Sequence, residues 1–243
     1  MDEREKNFWT YGVHSVLAVL EKRPDQVAEI AVTDEGRAKK LGIKEAAEKA
    51  GKKIRKRGRA ELDDLCGTSS HQGVAVLAPL PEYSTLEEVA ERQPHVVLAL
   101  DSITDPNNLG AMIRSGEALG ASGLIIPKDR SAAITPAVHK ASAGAAEWLP
   151  VAEVVNLSRA LRELKEDGYW CYGADGSAEK TLQETEFEGK TVILIGSEGT
   201  GIRPGVKKEM DFLVKIDLKG QTESLNASAA CAIILAKAIG AIS

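Results

Sequence analysis

Val192-Ile-Leu-Ile-Gly-Ser-Glu-Gly-Thr-Gly201 begins as an apolar strand and ends in a loop holding three glycines. Two other stretches follow the same plan. Val96-Val-Leu-Ala-Leu100 leads into Asp105-Pro-Asn-Asn-Leu-Gly-Ala-Met-Ile-Arg114, and Phe212–Ile216 leads into Ser224-Leu-Asn-Ala-Ser228. Short apolar runs without alternation fit strands buried on both faces, as in a parallel sheet covered by helices. The first and third polar segments run on into helical patterns. Polar side chains and free backbone N–H groups therefore gather at strand ends, where open α/β sheets bind ligands.

Outward from these segments, strands and helices alternate from His95 to the end. The strands are expected at 96–100, 123–126, 148–151, 169–172, 192–195 and 212–216. Helices are expected at 108–119, 135–142, 157–167, 204–209 and 226–239. This alternation predicts an α/β fold with a mostly parallel sheet and helices on both faces. The first 80 residues form a smaller α/β unit of their own. It has helices at 13–20, 37–50 and 60–65, and strands at 27–32, 52–56 and 74–78. Pro79-Leu-Pro-Glu-Tyr-Ser-Thr85 holds two prolines and no periodicity, so it reads as a linker. A helix at 86–91 follows, capped by Ser84 or Thr85. The expected division is a domain at 1–80, a linker at 81–94 and a larger domain at 95–243.

With 243 residues, 43% hydrophobic and 28% charged, the composition is that of a globular protein. No stretch approaches the roughly 18 uninterrupted apolar residues of a membrane span. Met1–Lys6 is charged and lacks the apolar core of a signal peptide. Cys66, Cys171 and Cys231 are widely spaced, which suits reduced thiols in a cytoplasmic protein. His14, His71, His95 and His139 form no close pair, so no metal site is expected.

The formal charge of −5 hides an asymmetry: between 37 and 59 there are 11 Lys and Arg against Glu45 and Glu48 alone. Such a patch tracks phosphates; a solvated helix face beside a protected edge strand has the same composition. Its members include Arg37, Lys39, Lys40, Lys52, Lys53, Arg55, Arg57 and Arg59.

The 192–201 loop lacks both Gly-x-Gly-x-x-Gly and Gly-Lys-Ser/Thr, so dinucleotide and P-loop readings fail. Glu198 would repel a phosphate but not a cation. Asn107 or Asn108 suits the cap of the helix that carries Arg114, and Ser224 and Asn226 suit the cap of the last helix. Arg114 reads either as a surface ion-pair partner or as a guanidinium near a polyanion or a developing oxyanion.

Asn-x-Gly-x-x-x-Arg, Gly-Ser-Glu-Gly-x-Gly and Ser-Leu-Asn-x-Ser, in that order, resemble the motifs of SPOUT methyltransferases of the TrmH branch. Thr135–Ala146 is similar to the stretch these enzymes carry between motifs. Tyr11-Gly-Val-His14 and His71-Gln-Gly-Val74 resemble the substrate-binding domain of the RlmB-like group. The chain departs from the pattern at Asp217-Leu218 and at Ala227. The resemblance implies a trefoil-knotted C-terminal domain, a small N-terminal RNA-binding domain and a cytoplasmic homodimer. It also implies transfer of a methyl group from S-adenosylmethionine to the ribose 2′-hydroxyl of RNA, with a guanosine of 23S rRNA as the leading substrate. Transfer RNA, and a non-catalytic rRNA-binding role, are the alternatives. Carried over by position, Leu194, Ile195, Gly196, Gly201, Ile216 and Leu225 would hold the cofactor. Asn108, Arg114, Glu198, Ser224 and Asn226 would form the reacting face, and the 37–59 patch would bind RNA.

Overall fold

The smaller sheet and the larger one are built on different principles, one alternating and one buried throughout. The computed structural model describes residues 7–242. Met1–Lys6, read above for a signal peptide, lies outside the described residues. The chain divides into two units: residues up to Glu82 with Ile134–Trp148, and Tyr83–Ala133 with the chain from Leu149.

In the first unit β1 (Asn7–Tyr11), α1 (Val13–Lys22) and β2 (Glu29–Val32) are followed by α2 (Glu35–Lys40) and α3 (Ile43–Lys49). Then come β3 (Ile54–Lys56), α4 (Arg59–Cys66) and β4 (Val74–Pro79). The sheet order is β1-β4-β2-β3, with only β2 and β3 parallel. Alternation sorts the side chains to two faces. Ile30, Val32, Val74 and Val76 pack with Val16, Val19 and Ile43 of the helices on one face. Ala31 and Ala75 pack with Tyr11 and Leu62 on the other. The single helix expected at 37–50 is two, because Gly42 sits at φ 75° and caps the second.

The second unit begins with α5 (Leu86–Glu91), whose N-cap is Thr85 in a full capping box with Glu88. β5 (Val96–Asp101), α6 (Pro106–Leu119) and β6 (Gly123–Pro127) follow. Helix α7 (Pro136–Ala141) belongs to the first unit, although the sequence reading kept that stretch within the larger domain. The chain then resumes with β7 (Val151–Val154), α8 (Leu157–Glu166), β8 (Trp170–Ala174), β9 (Lys180–Thr181) and β10 (Thr191–Gly196). It ends with α9 (Pro204–Lys207), β11 (Phe212–Lys215) and α10 (Ala227–Ala238).

Seven parallel strands stand in the order β7-β6-β5-β10-β8-β11-β9. β5 and β10 are buried along their whole length, as their uninterrupted apolar runs require. From β5 the chain winds one way to β6 and β7, then returns to fill the other side. The order reverses between β5 and β10, and the loops after these two strands meet there, Asn108 bonded to Glu198 and Asp101 to Arg203. Gly196 pairs with Asp101 at that junction. The strand expected at 148–151 begins only at Val151, because Ala145–Glu147 form a 3-10 turn after Gly144. No helix among the described residues is long and apolar enough to cross a membrane.

Candidate active site

Asp105, rather than Asn107 or Asn108, caps α6, accepting from the N–H of Asn107, with Pro106 in the first turn. Asn108 is therefore free of capping and turns to the loop after β10. Its Nδ2 donates to Oε1 of Glu198 at 3.1 Å. Asn226 does cap α10, accepting from the N–H of Ser228 and Ala229. Its Nδ2 donates both to Glu198 Oε1 and, at 3.0 Å, to Oδ1 of Asn108. The N–H of Ala227 also donates to Glu198 Oε1, at 3.3 Å. One carboxylate oxygen thus gathers the three sequence motifs. Hydrogen bonds to an ionised acceptor are roughly twice as strong as neutral ones, so Glu198 fixes both amides.

The loop that carries Glu198 is held by its own backbone. Ser197 and Gly201 exchange N–H to O=C bonds of 2.9 and 3.2 Å. A Cβ on Gly196 would lie 2.2 Å from the carbonyl carbon of Gly201, so no side chain fits there. The far end of the loop is tied to β5 from outside the motifs. Asp101, fully buried, accepts from the backbone N–H and Nε of Arg203 at 2.8 and 2.6 Å. Sequence reading missed this pair; its only signal was an aspartate closing an apolar strand.

Beside the amide cluster lies a cavity of about 600 Å³, a size suited to a small organic ligand. Ile195, Gly196, Gly201, Ile216 and Leu225 line it, as do Glu198 and Ser224. Leu194 does not. It packs into the core with Val97 and Leu161, because it alternates with Ile195 along β10. Arg114 is exposed on α6 and is not joined to the amide cluster by any bond among the described residues. Ser224 is exposed at the cavity wall.

The lining fits a cationic sulfonium carried on an adenosine. Ile195, Ile216, Leu218 and Ile234 are apolar; Asp175, Glu198, Asp217 and Glu223 are acidic, against Lys215 and Lys207, the latter paired with Asp175. The hydrogen bond from Lys219 holds the Asp217 carboxyl below its ordinary range, so it stays anionic. No cluster of His, Cys, Asp and Glu suited to a metal occurs among the described residues.

In the first unit, the basic patch is partly spent on the protein itself. Arg55 pairs with Glu29 at 3.2 Å, and Arg57 pairs with both Glu29 and Glu61. Lys52 donates to the carbonyl of Val27 at 2.8 Å. Counting charges within 37–59 had left out the two flanking glutamates. Arg37, Lys39, Lys40, Lys53 and Arg59 are exposed or part-exposed and lack such side-chain ties among the described residues.

Comparison with known proteins settles the class. The sequence model of the SpoU rRNA Methylase family matches residues 95–236. The chain belongs to the SpoU rRNA methylase family. A second model, described as RNA 2′-O ribose methyltransferase substrate binding, matches residues 9–84. A relative from Xanthomonas campestris pv. campestris, the 23S rRNA (guanosine-2′-O-)-methyltransferase RlmB, is 38% identical over 242 residues, covering 97% of each chain. Its namesake from Coxiella burnetii is 39% identical over 93% of this chain and 92% of its own. The solved SpoU methyltransferase AviRb from Streptomyces viridochromogenes, in complex with AdoMet, matches with a TM-score of 0.81. At 24% identity, covering 98% of this chain and 91% of its own, AviRb shows the shared fold. The family and the α/β class are those that the three motifs led us to expect.

Proposed function

We propose that this protein methylates the ribose 2′-hydroxyl of a guanosine in 23S rRNA, using S-adenosylmethionine. The observation that carries the reading is the Asn108–Glu198–Asn226 cluster at the rim of an apolar, acid-edged cavity, in a chain of this family. When bound, S-adenosylmethionine supplies an electrophilic methyl group on sulfur. The backbone of Gly196, Gly201, Ile216 and Leu225 holds its adenosine part, and Ile195 forms an apolar wall. Leu194 acts from behind, by packing β10 into the core. Glu198 orients the two asparagine amides toward the substrate ribose, and Ser224 borders the same face.

The attacking hydroxyl must lose a proton. Arg114 is not the acceptor, because arginine stays protonated up to about pH 12 or beyond. It stabilises the developing alkoxide or anchors the neighbouring phosphate. Since Arg114 stands apart from the amide cluster of its own chain, we place it in the reacting face of a homodimer, reaching the second subunit's site. The N-terminal unit grips RNA through Arg37, Lys39, Lys40, Lys53 and Arg59, with Lys52, Arg55 and Arg57 shaping the patch. We assign the region 1–80 to substrate binding and 95–243 to a knotted catalytic domain in a cytoplasmic enzyme, with α5 of the 81–94 stretch joining the larger unit and Ile134–Trp148 the smaller.

The test is to incubate the protein with labelled S-adenosylmethionine and unmodified 23S rRNA, digest the RNA and identify the labelled nucleoside. Labelled 2′-O-methylguanosine is expected. Label in another nucleoside, or in transfer RNA alone, would overturn the substrate assignment, and no label would overturn the activity.

A further inference from the structure

Parallel strands in this fold are normally covered on both faces, yet one patch of the larger sheet is bare. Trp170 and Tyr172 lie two residues apart on β8 and so share a face, and Phe212 of β11 is in register with Tyr172. Their rings form a cluster: Tyr172 and Phe212 stack at 5.0 Å, and Trp170 and Phe212 meet at 5.8 Å. Phe187 covers only one side of it, 4.6 Å from Tyr172. Trp170 is left 49% exposed and Phe212 39%. Large aromatics so exposed mark contact sites rather than core.

The rim of this patch is acidic. Glu184, Glu186 and Glu188 line the same hollow of about 320 Å³, against one lysine in the lining, Lys180, with Lys215 close enough to act on Glu184. Thr181 donates to Glu184 from its N–H and hydroxyl, which holds that carboxyl below its ordinary range. The carboxylates of Glu186 and Glu188 carry no hydrogen bond or ion pair among the described residues. Open aromatic faces ringed by unpaired carboxylates attract a cation with an apolar stem, that is, a lysine or arginine side chain. Nucleic acid is repelled by the same rim. The patch lies toward the N-terminal ends of β8 and β11, whereas Glu198 and the cavity beside it lie at the C-terminal end of β10.

We propose that the Trp170–Phe212 hollow is a docking site for a basic segment of a partner protein, one Lys or Arg side chain entering between the rings and the carboxylates. A fluorescein-labelled octapeptide of alternating Lys and Ala, titrated into the full chain and followed by polarisation, tests this. Binding is expected, with a Glu-for-Lys peptide inert. Trp170→Ala and the double change Glu186→Gln with Glu188→Gln should each weaken it about tenfold or more, while methyl transfer to 23S rRNA stays unchanged. Equal binding by Trp170→Ala and the wild type would reduce the effect to overall charge and overturn the proposal. Absence of binding to the wild type would do the same. If Trp170→Ala instead lowered the sedimenting mass, a second copy of this chain would be the occupant, and the proposal would again fall.

Discussion

Two glutamates organise this molecule, and they do so by opposite means. Glu147, in the first unit, is buried against the fully buried His139 and the half-buried Arg23. It accepts from Nε and Nη2 of Arg23 at 2.7 and 2.6 Å and from Nε2 of His139 at 2.7 Å. Glu198, in the second unit, stands at a cavity rim and accepts from two side-chain amides and one backbone N–H. The first carboxylate is matched by a formal charge and shut away from water, so its bonds serve cohesion. The second is matched only by neutral dipoles and remains accessible, so its charge is available to a ligand. Burial with a countercharge suits a carboxylate to cohesion; exposure beside a cavity leaves one accessible to a ligand.

Removing each side chain should separate the two roles. Glu147→Ala leaves the fully buried His139 ring without its acceptor, when its Nδ1 already lacks a partner, and strips Nε and Nη2 of Arg23 of theirs, leaving that side chain only its bonds to Gln26 and the Pro79 carbonyl. Breaking a buried pair in this way costs about 3–5 kcal/mol, so urea unfolding should show a loss of that order. The protein that remains folded should keep its methyl transfer. A Glu147→Ala variant of normal stability but no activity would erase the distinction.

Acid should sharpen it. Burial alone would raise the Glu147 carboxyl, but hydrogen bonds from Arg23 and His139 overcome it and hold the group at about 2, below the ordinary 4.5. A folded-state value below the unfolded one gives stability that is present above about pH 4.5 and lost as pH falls toward 2. The stability gap between wild type and Glu147→Gln should therefore narrow by about 2 kcal/mol between pH 5 and pH 3. A gap that held constant over that range would show that Glu147 is not ionised by its partners.

The smallest effect concerns the basic patch, where some cations are tied to carboxylates like Glu147's partners and others carry no such tie among the described residues. Neutralising Lys39, Lys40 and Lys53 together should flatten the dependence of log affinity on log salt by about 0.7 per charge removed. Arg57→Gln should lower the melting temperature more than it changes that slope, because Arg57 ties β3 to β2 and α4. Equal slopes for the triple variant and the wild type would remove the patch from RNA binding.

Local pattern carried most of the larger sheet, since β5 and β10 announce themselves as unbroken apolar runs. It failed where geometry overrode composition. β1 mixes aromatic and polar residues and was not seen as a strand, and β9 is too short, at two residues, to leave a pattern. Gly42 broke a helix that periodicity had joined. The amide cluster was legible because each motif has its own spacing, although the bonds among Asn108, Glu198 and Asn226 were not. Contacts between Asp101 and Arg203, or between Arg23 and Glu147, span more than 100 residues of chain. Nothing in one sequence pairs residues at that distance.

We propose that the Glu198 oxygen fixes the Asn108 and Asn226 amides for the reaction. Single-turnover methyl transfer to 23S rRNA by Glu198→Ala and Glu198→Gln tests it most directly. Glutamine retains an acceptor oxygen in reach of Asn108, Asn226 and the Ala227 N–H, whereas alanine retains none. Alanine should cost about 10²–10³-fold in rate, and glutamine should recover at least about tenfold of that loss, the gain expected from restoring an acceptor. Equal activity of the alanine variant and the wild type, or no recovery by glutamine, would contradict the account.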